Sequence, residues 1–152
     1  MAGSVRFTYS STVLVMPAAT KAAFQIASIS NRGLKVERVR ISGQSVNGLD
    51  APVEWRFYYQ TAVAATGTAA ILTNLDQGAG AATVQSTGLY FITAEPTGTT
   101  VLWNGFISPL GSHEIIFPPG RELFIPGGKW LGITAVNAAD VNNWIIQADF
   151  ME

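Results

Sequence analysis

The chain reads as an all-β protein: a single-domain antiparallel β-sandwich, jelly-roll-like, with one long loop rich in Ala, Thr and Gly. Three observations predict it. Fifteen Gly and seven Pro punctuate the 152 residues at short intervals, and the short segments between them are enriched in β-branched and aromatic residues. Where those segments are clearest, apolar residues recur at every second position, the period of a strand with one buried face. No window keeps an apolar stripe at helical spacing over three turns.

Taken in order, Met1–Ser11 is expected to be an N-terminal arm. The run Val13-Leu14-Val15-Met16 stops at Pro17 and is shorter than a secretory core of about 7–15 residues, so no signal peptide is expected. Ala22–Ser28 is a strand candidate. In Leu34–Ile41 the apolar positions are Leu34 and Val36, then Val39 and Ile41; the phase slips at Glu37-Arg38, which predicts a β-bulge. Val53, Trp55, Phe57 and Tyr59 then share one strand face, with Glu54, Arg56, Tyr58 and Gln60 on the other.

Residues 62–87 follow as a long loop or arm. Ala62–Ala70 has helix-forming alanines, but Gly67 and the interspersed Thr residues favour extended chain. At about 25 residues the segment exceeds ordinary loop length, which implies a functional arm or an undetected strand pair. Gly88–Thr93, Thr100–Ile107 and Ser112–Phe117 are further strands. Pro118-Pro119-Gly120 and Pro126-Gly127-Gly128 are turns that bracket a strand at Glu122–Ile125, because proline fixes φ and glycine supplies positive φ. Leu131, Ile133 and Ala135 form the inner set of one late strand; Trp144, Ile146, Ala148 and Phe150 form that of another. Eight or nine strands in one domain point to a jelly roll or related Greek-key sandwich, which protects most strand edges.

Composition narrows the chemistry. There is no cysteine, which excludes disulfides, zinc fingers and Fe–S clusters. The net charge is −1, with no basic excess to bind nucleic acid or an anionic membrane. No apolar run reaches the roughly 20 residues of a membrane-spanning helix. Charged residues make up 12% of the chain, about half the usual share of ~25%. Between Phe57 and Ala94 the one charge is Asp76. So long an uncharged stretch implies that other protein covers much of the surface.

The candidate chemical groups do not converge. His113 is the one histidine, and its neighbour Glu114 falls on the opposite face of the same strand, so the two cannot act as a base and its orienter. Ser112 lacks a nucleophile elbow. The carboxylates are scattered, with no calcium-loop spacing and no pair singled out for glycoside hydrolysis. Gly127-Gly128-Lys129 lacks the remaining residues of a phosphate loop and is read as a turn. No cofactor and no enzymatic activity are expected. Lys35, Glu37, Arg38 and Arg40, with Glu54 and Arg56 on another strand, either pair across strands on a solvated face or form an Arg-lined contact to an acidic partner. Among the four tryptophans, Trp55 and Trp144 are in phase with the core; Trp130 follows a turn and is the preferred anchor of a subunit contact.

Most of the chain resembles the small structural proteins of tailed bacteriophages. The likeness is carried by Val101-Leu102-Trp103-Asn104-Gly105-Phe106, His113-Glu114-Ile115-Ile116-Phe117-Pro118-Pro119-Gly120, Pro126-Gly127-Gly128-Lys129-Trp130-Leu131-Gly132-Ile133 and Ala148-Asp149-Phe150-Met151-Glu152. It extends to Leu34-Lys35-Val36-Glu37 and Thr66-Gly67-Thr68-Ala69-Ala70. These are turn and strand signatures and carry no chemical fingerprint. The resemblance implies a virion component made in the host cytoplasm: a capsid decoration, or cement, protein on the outer capsid surface. Its expected partners are its own copies, as a trimer, and the phage major capsid protein. The arm 62–87 and residues 1–11 are the segments expected to reach a neighbour. Side chains expected at the subunit or capsid contact are Trp130, Arg38, Arg40, Leu75 and Asp76. A tail or head-to-tail component, and a carbohydrate-binding jelly roll using Trp103-Asn104 for host attachment, are the alternatives.

Overall fold

The computed structural model describes residues 5–28, 32–44, 51–61, 67–75, 83–90, 98–136, 138 and 141–152, and these contain no helix. Thirteen strands run in chain order: β1 Arg6–Ser10, β2 Leu14–Met16, β3 Lys21–Ala27, β4 Leu34–Gln44, β5 Val53–Gln60, β6 Thr68–Ala69, β7 Thr73–Asn74, β8 Thr87–Tyr90, β9 Gly98–Ile107, β10 Ser112–Ile116, β11 Leu123–Ile125, β12 Trp130–Val136 and β13 Asn142–Met151. They form two antiparallel sheets packed face to face, a β-sandwich. Sheet A has the order β10-β4-β13-β1-β7, with β11 beside β4 and β2 beside β13; sheet B has the order β6-β8-β3-β12-β5-β9.

The pairings are nested. β1 and β2 pair with β13, β3 with β12, β4 with β10 and β11, and β5 with β9. The first strands therefore meet the last, and the innermost pair lies mid-chain. Lateral pairings of β4 with β13, β5 with β12, β3 with β8 and β1 with β7 gather these strands into two layers.

Strand alternation supplies the core. Trp144, Ile146, Ala148 and Phe150 of β13 are buried, as are Val53, Trp55 and Phe57 of β5 and Leu131, Ile133 and Ala135 of β12. Aromatic rings join the layers: Phe7 and Phe150 of sheet A lie 5.3 Å apart, Phe150 lies 6.3 Å from Phe24 of sheet B, and Tyr9 stacks on Phe24 at 4.1 Å. Trp55 meets Trp144 edge-on at 5.1 Å. Each fully buried Phe side chain contributes about 1.5–3 kcal/mol. The hydroxyl of Tyr9 and the indole N–H groups of Trp55 and Trp144 are buried without a hydrogen-bond partner among the described residues. Burial, with Tyr90 nearby, pushes the Tyr9 phenol well above its ordinary value.

The bulge predicted in Leu34–Ile41 is present. Asp149 pairs with Arg38 and Phe150 with Val36, so Glu37 is the extra residue, and Leu34, Val36, Val39 and Ile41 are all buried. Both Pro-Gly triplets are turns: the Arg121 N–H donates to Pro118 O at 2.8 Å and the Lys129 N–H to Pro126 O at 3.1 Å. Gly120 and Gly128 adopt φ of 80° and 73°, a region closed to most L-residues. Glu122 accepts the Gly120 N–H at 2.9 Å, and backbone donors hold its carboxyl below the usual range.

The structure departs from the sequence reading at the N-terminus. Residues 6–10, expected to reach outward, form β1 and contribute Phe7 and Tyr9 to the core. Within the expected arm, Thr68–Ala69 joins β8 and Thr73–Asn74 joins β1, so two short strands attach it to opposite sheets; residues 62–66 and 76–82 lie outside the described ones. The end of that segment is tied down by Glu152, whose carboxylate accepts from Gln85 N at 2.7 Å, Ser86 N at 3.0 Å and Ser86 Oγ at 2.6 Å. The strand expected at Gly88–Thr93 is β8, and residues 91–93 are not described. Gln60 faces outward as expected, yet it is buried.

Candidate interaction surface

Alternation along the strands gives each sheet an outer face, and the two faces differ in chemistry. Sheet A places Arg6, Lys35, Glu37, Arg38, Arg40, Glu114 and Asp149 on its strands. They form ion pairs that tie the strands together across this face. Arg6 meets Glu37 at 3.0 Å, and Arg38 reaches Asp149 at 2.7 Å and Glu114 at 3.2 Å. Thr8 donates its hydroxyl to Asp149 Oδ1 at 2.7 Å. Lys35 approaches Glu122 at 4.0 Å. The Arg38 side chain is 48% exposed, and pairs at such positions contribute about 0.2–1 kcal/mol, less in salt.

On sheet B, by contrast, β6, β8, β9 and β12 carry no charge; Lys21, Glu54 and Arg56 are the charged residues of its strands. Glu54 and Arg56 pair with each other in two contacts, 2.6 and 3.0 Å. Hydrogen bonding from Arg56, reinforced by its charge and by the Asn104 side chain, holds the Glu54 carboxyl below its ordinary value although partial desolvation opposes this. The centre of the face is an amide bridge. Gln25 Nε2 donates to Gln60 Oε1 at 2.6 Å, with both residues buried. This bridge passes over Gly132, where an added Cβ would run into the Gln60 amide. The constraint on residue 132 is the close approach of the Gln60 side chain, which would have to shift, and not backbone conformation. Thr134 beside it is also buried.

Trp130 begins β12 on this same face. It walls a groove of about 250 Å³ with Gln25, Ala27, Ala69, Thr87, Gly88 and Leu89. Leu89 also packs with Ala22 in a small apolar cluster separate from the main core. The groove is uncharged, lined by small floor residues and one large aromatic wall.

The sheet edges differ as well. β6 and β7 are two residues long, β11 three, and β10 five with His113 and Glu114 in it. β9 is ten residues long, without charge or proline. Large apolar side chains are exposed on or near this side of the sandwich: Phe106 at 70%, Leu110 at 62% and Ile116 at 64%.

The expected contact residues are not brought together. Arg38 and Arg40 lie on the outer face of sheet A, with Arg38 engaged in ion pairs and Arg40 exposed between the positions of Glu114 and Gln147. Trp130 is half-buried on the outer face of sheet B. Leu75 is 50% exposed just after β7, its N–H donating to Arg6 O. Asp76 lies outside the described residues. Trp103 leans inward: its ring is 4.8 Å from Phe57 and 6.2 Å from His113, closing the gap between β9 and β10. His113 thus faces Trp103 while Glu114 faces Arg38, as their alternation predicts. Among the described residues no three His, Cys, Asp or Glu side chains converge.

Sequence reasoning missed the Gln25–Gln60 bridge and the exposed Phe106. The bridge joins residues 35 positions apart and has no local signal. Phe106 had one, the absence of charge and proline across β9. Compared with models of known protein families, with curated proteins and with solved structures, the chain returns no match.

Proposed function

We propose that this chain is a non-enzymatic structural protein that acts as a subunit of a larger particle, of the capsid-decoration type found on tailed-phage virions. The observation that carries this reading is the outer face of sheet B, where charge is nearly absent and Trp130 walls an uncharged groove. A face of this kind loses little on desolvation, because unpaired buried charges are what make burial costly. Half-exposed tryptophan is also enriched at protein contacts. The nested strand pairing supports the jelly-roll part of the reading, since a long antiparallel ladder rolled into two layers is how that architecture protects most of its edges. In this reading the protein resides on the capsid surface, binds the major capsid protein, and associates with its own copies.

Co-sedimentation of the purified protein with phage capsids lacking it tests the proposal. Saturation at a fixed ratio to the major shell protein is expected. A protein that stays in the supernatant at every ratio, or that binds isolated tails instead, would overturn it.

A further inference from the structure

We infer that the free edge of β9 is a self-association site, where Trp103–Ile107 of two copies pair antiparallel across a twofold axis at Gly105. This deepens the proposed function and rests on the reading of the chain as an assembly subunit. Unpaired strand edges invite pairing, and proteins guard them with shortness, charge, proline or bulges. Here β6 and β7 are guarded by shortness, β10 by His113 and Glu114, and β11 by shortness and flanking prolines. β9 has none of the first three. Among the described residues its backbone bonds to β5 alone.

The irregularities of β9 define which part can pair. Its register against β5 shifts on the N-terminal side of Trp103, while Trp103–Ile107 run opposite Phe57–Val53 without interruption. A regular antiparallel pair of this five-residue stretch with a second copy uses all five residues when centred on the middle one, Gly105. Alternation then sets Phe106, 70% exposed, opposite the other copy's Asn104 on the same outward face. The occupant is a second copy because the strand is self-compatible. Like charges opposite one another destabilise a ladder, and β9 holds no charge to repeat across the axis; the net charge of −1 adds little repulsion between copies. The five-residue pairing is short, so the contact is concentration-dependent.

Sedimentation equilibrium from micromolar to millimolar protein tests the site, together with Phe106→Lys. The wild-type chain is expected to form dimers, with rising hydrogen-exchange protection of the Trp103–Ile107 amides as concentration increases. Phe106→Lys, at an exposed position, should weaken the dimer by about tenfold or more. A chain that stays monomeric, a trimer without added β9 protection, or a dimer unaffected by the charge would overturn the inference. The hydrogen-exchange arm uses wild-type protein and stands even if the variant misfolds. The two readings fail separately: a monomer that still saturates capsids removes the β9 contact alone, whereas a β9 dimer that ignores capsids removes the particle role alone.

Discussion

On the outer side of sheet A strands are joined by carboxylates and guanidinium groups that remain partly in water; on the outer side of sheet B strands are joined by two amides that do not. Arg38 can bridge Glu114 and Asp149 across β10, β4 and β13 because its head group stays 48% exposed. Gln25 and Gln60 span β3, β12 and β5 while buried. An ion pair at that depth would carry a desolvation cost of several kcal/mol per ion, which uncharged amides avoid. The distribution of charge over the molecule therefore follows the accessibility of its two faces. It is also why charge should matter little to stability on sheet A and why small steric changes should matter on sheet B.

Changing Gly132 gives the sharpest contrast. Gly132→Leu would displace the Gln60 amide from its buried bond, and overpacking together with lost hydrogen bonding should cost roughly 3 kcal/mol, read as a fall in the urea midpoint. Stability within about 0.5 kcal/mol of wild type would mean that the bridge is not a fixed part of the face. Removing the bridge directly is a smaller step. Gln60→Ala removes the acceptor of the Gln25 amide and should cost about 1–3 kcal/mol, and Gln25→Leu with Gln60→Leu together should cost less than the sum of the single changes. Additive losses would break the claim that the two amides act as a unit.

On sheet A, Arg38→Ala should cost less than about 1 kcal/mol, shrinking further as salt is raised. A larger, salt-independent loss would erase the distinction between the faces. The weakest effect concerns the Glu54–Arg56 ion pair on β5 of sheet B. Because Glu54 has a folded pKa below its unfolded value, its contribution is present above the unfolded carboxylate range, about 4.3. It is lost as pH falls through the lower folded value. Glu54→Gln should therefore flatten the acid side of the stability curve and leave the neutral-to-alkaline side unchanged in slope.

The sequence made the inner faces of β13, β12 and most of β5 legible, because alternation is local and Trp144, Trp55 and Leu131 are unambiguous within it. The bulge at Glu37 was legible for the same reason: one extra residue leaves a visible phase slip. β1 carries the same period, with Phe7 and Tyr9 flanked by polar residues, but closeness to the start of the chain favoured an arm. β6 and β7 have too few residues to show any period. The order of strands was not legible, since β1 meets β13 through a register that pairs Phe7 with Phe150. Of the candidate contacts, the outward placement of Trp130 followed from its phase against Leu131. That Arg38 and Arg40 lie on the other sheet from Trp130 was not legible, because sheet membership is set by long-range pairing.

That separation permits a direct test of which face makes the particle contact. Trp130→Ala and the pair Arg38→Ala with Arg40→Ala, each checked for an intact fold by its melting curve, would be compared with wild type for co-sedimentation with capsids lacking the protein. If sheet B makes the contact, Trp130→Ala loses binding while the double arginine variant keeps it. Full binding by Trp130→Ala, with loss on removing the arginines, would contradict that reading and place the contact on sheet A.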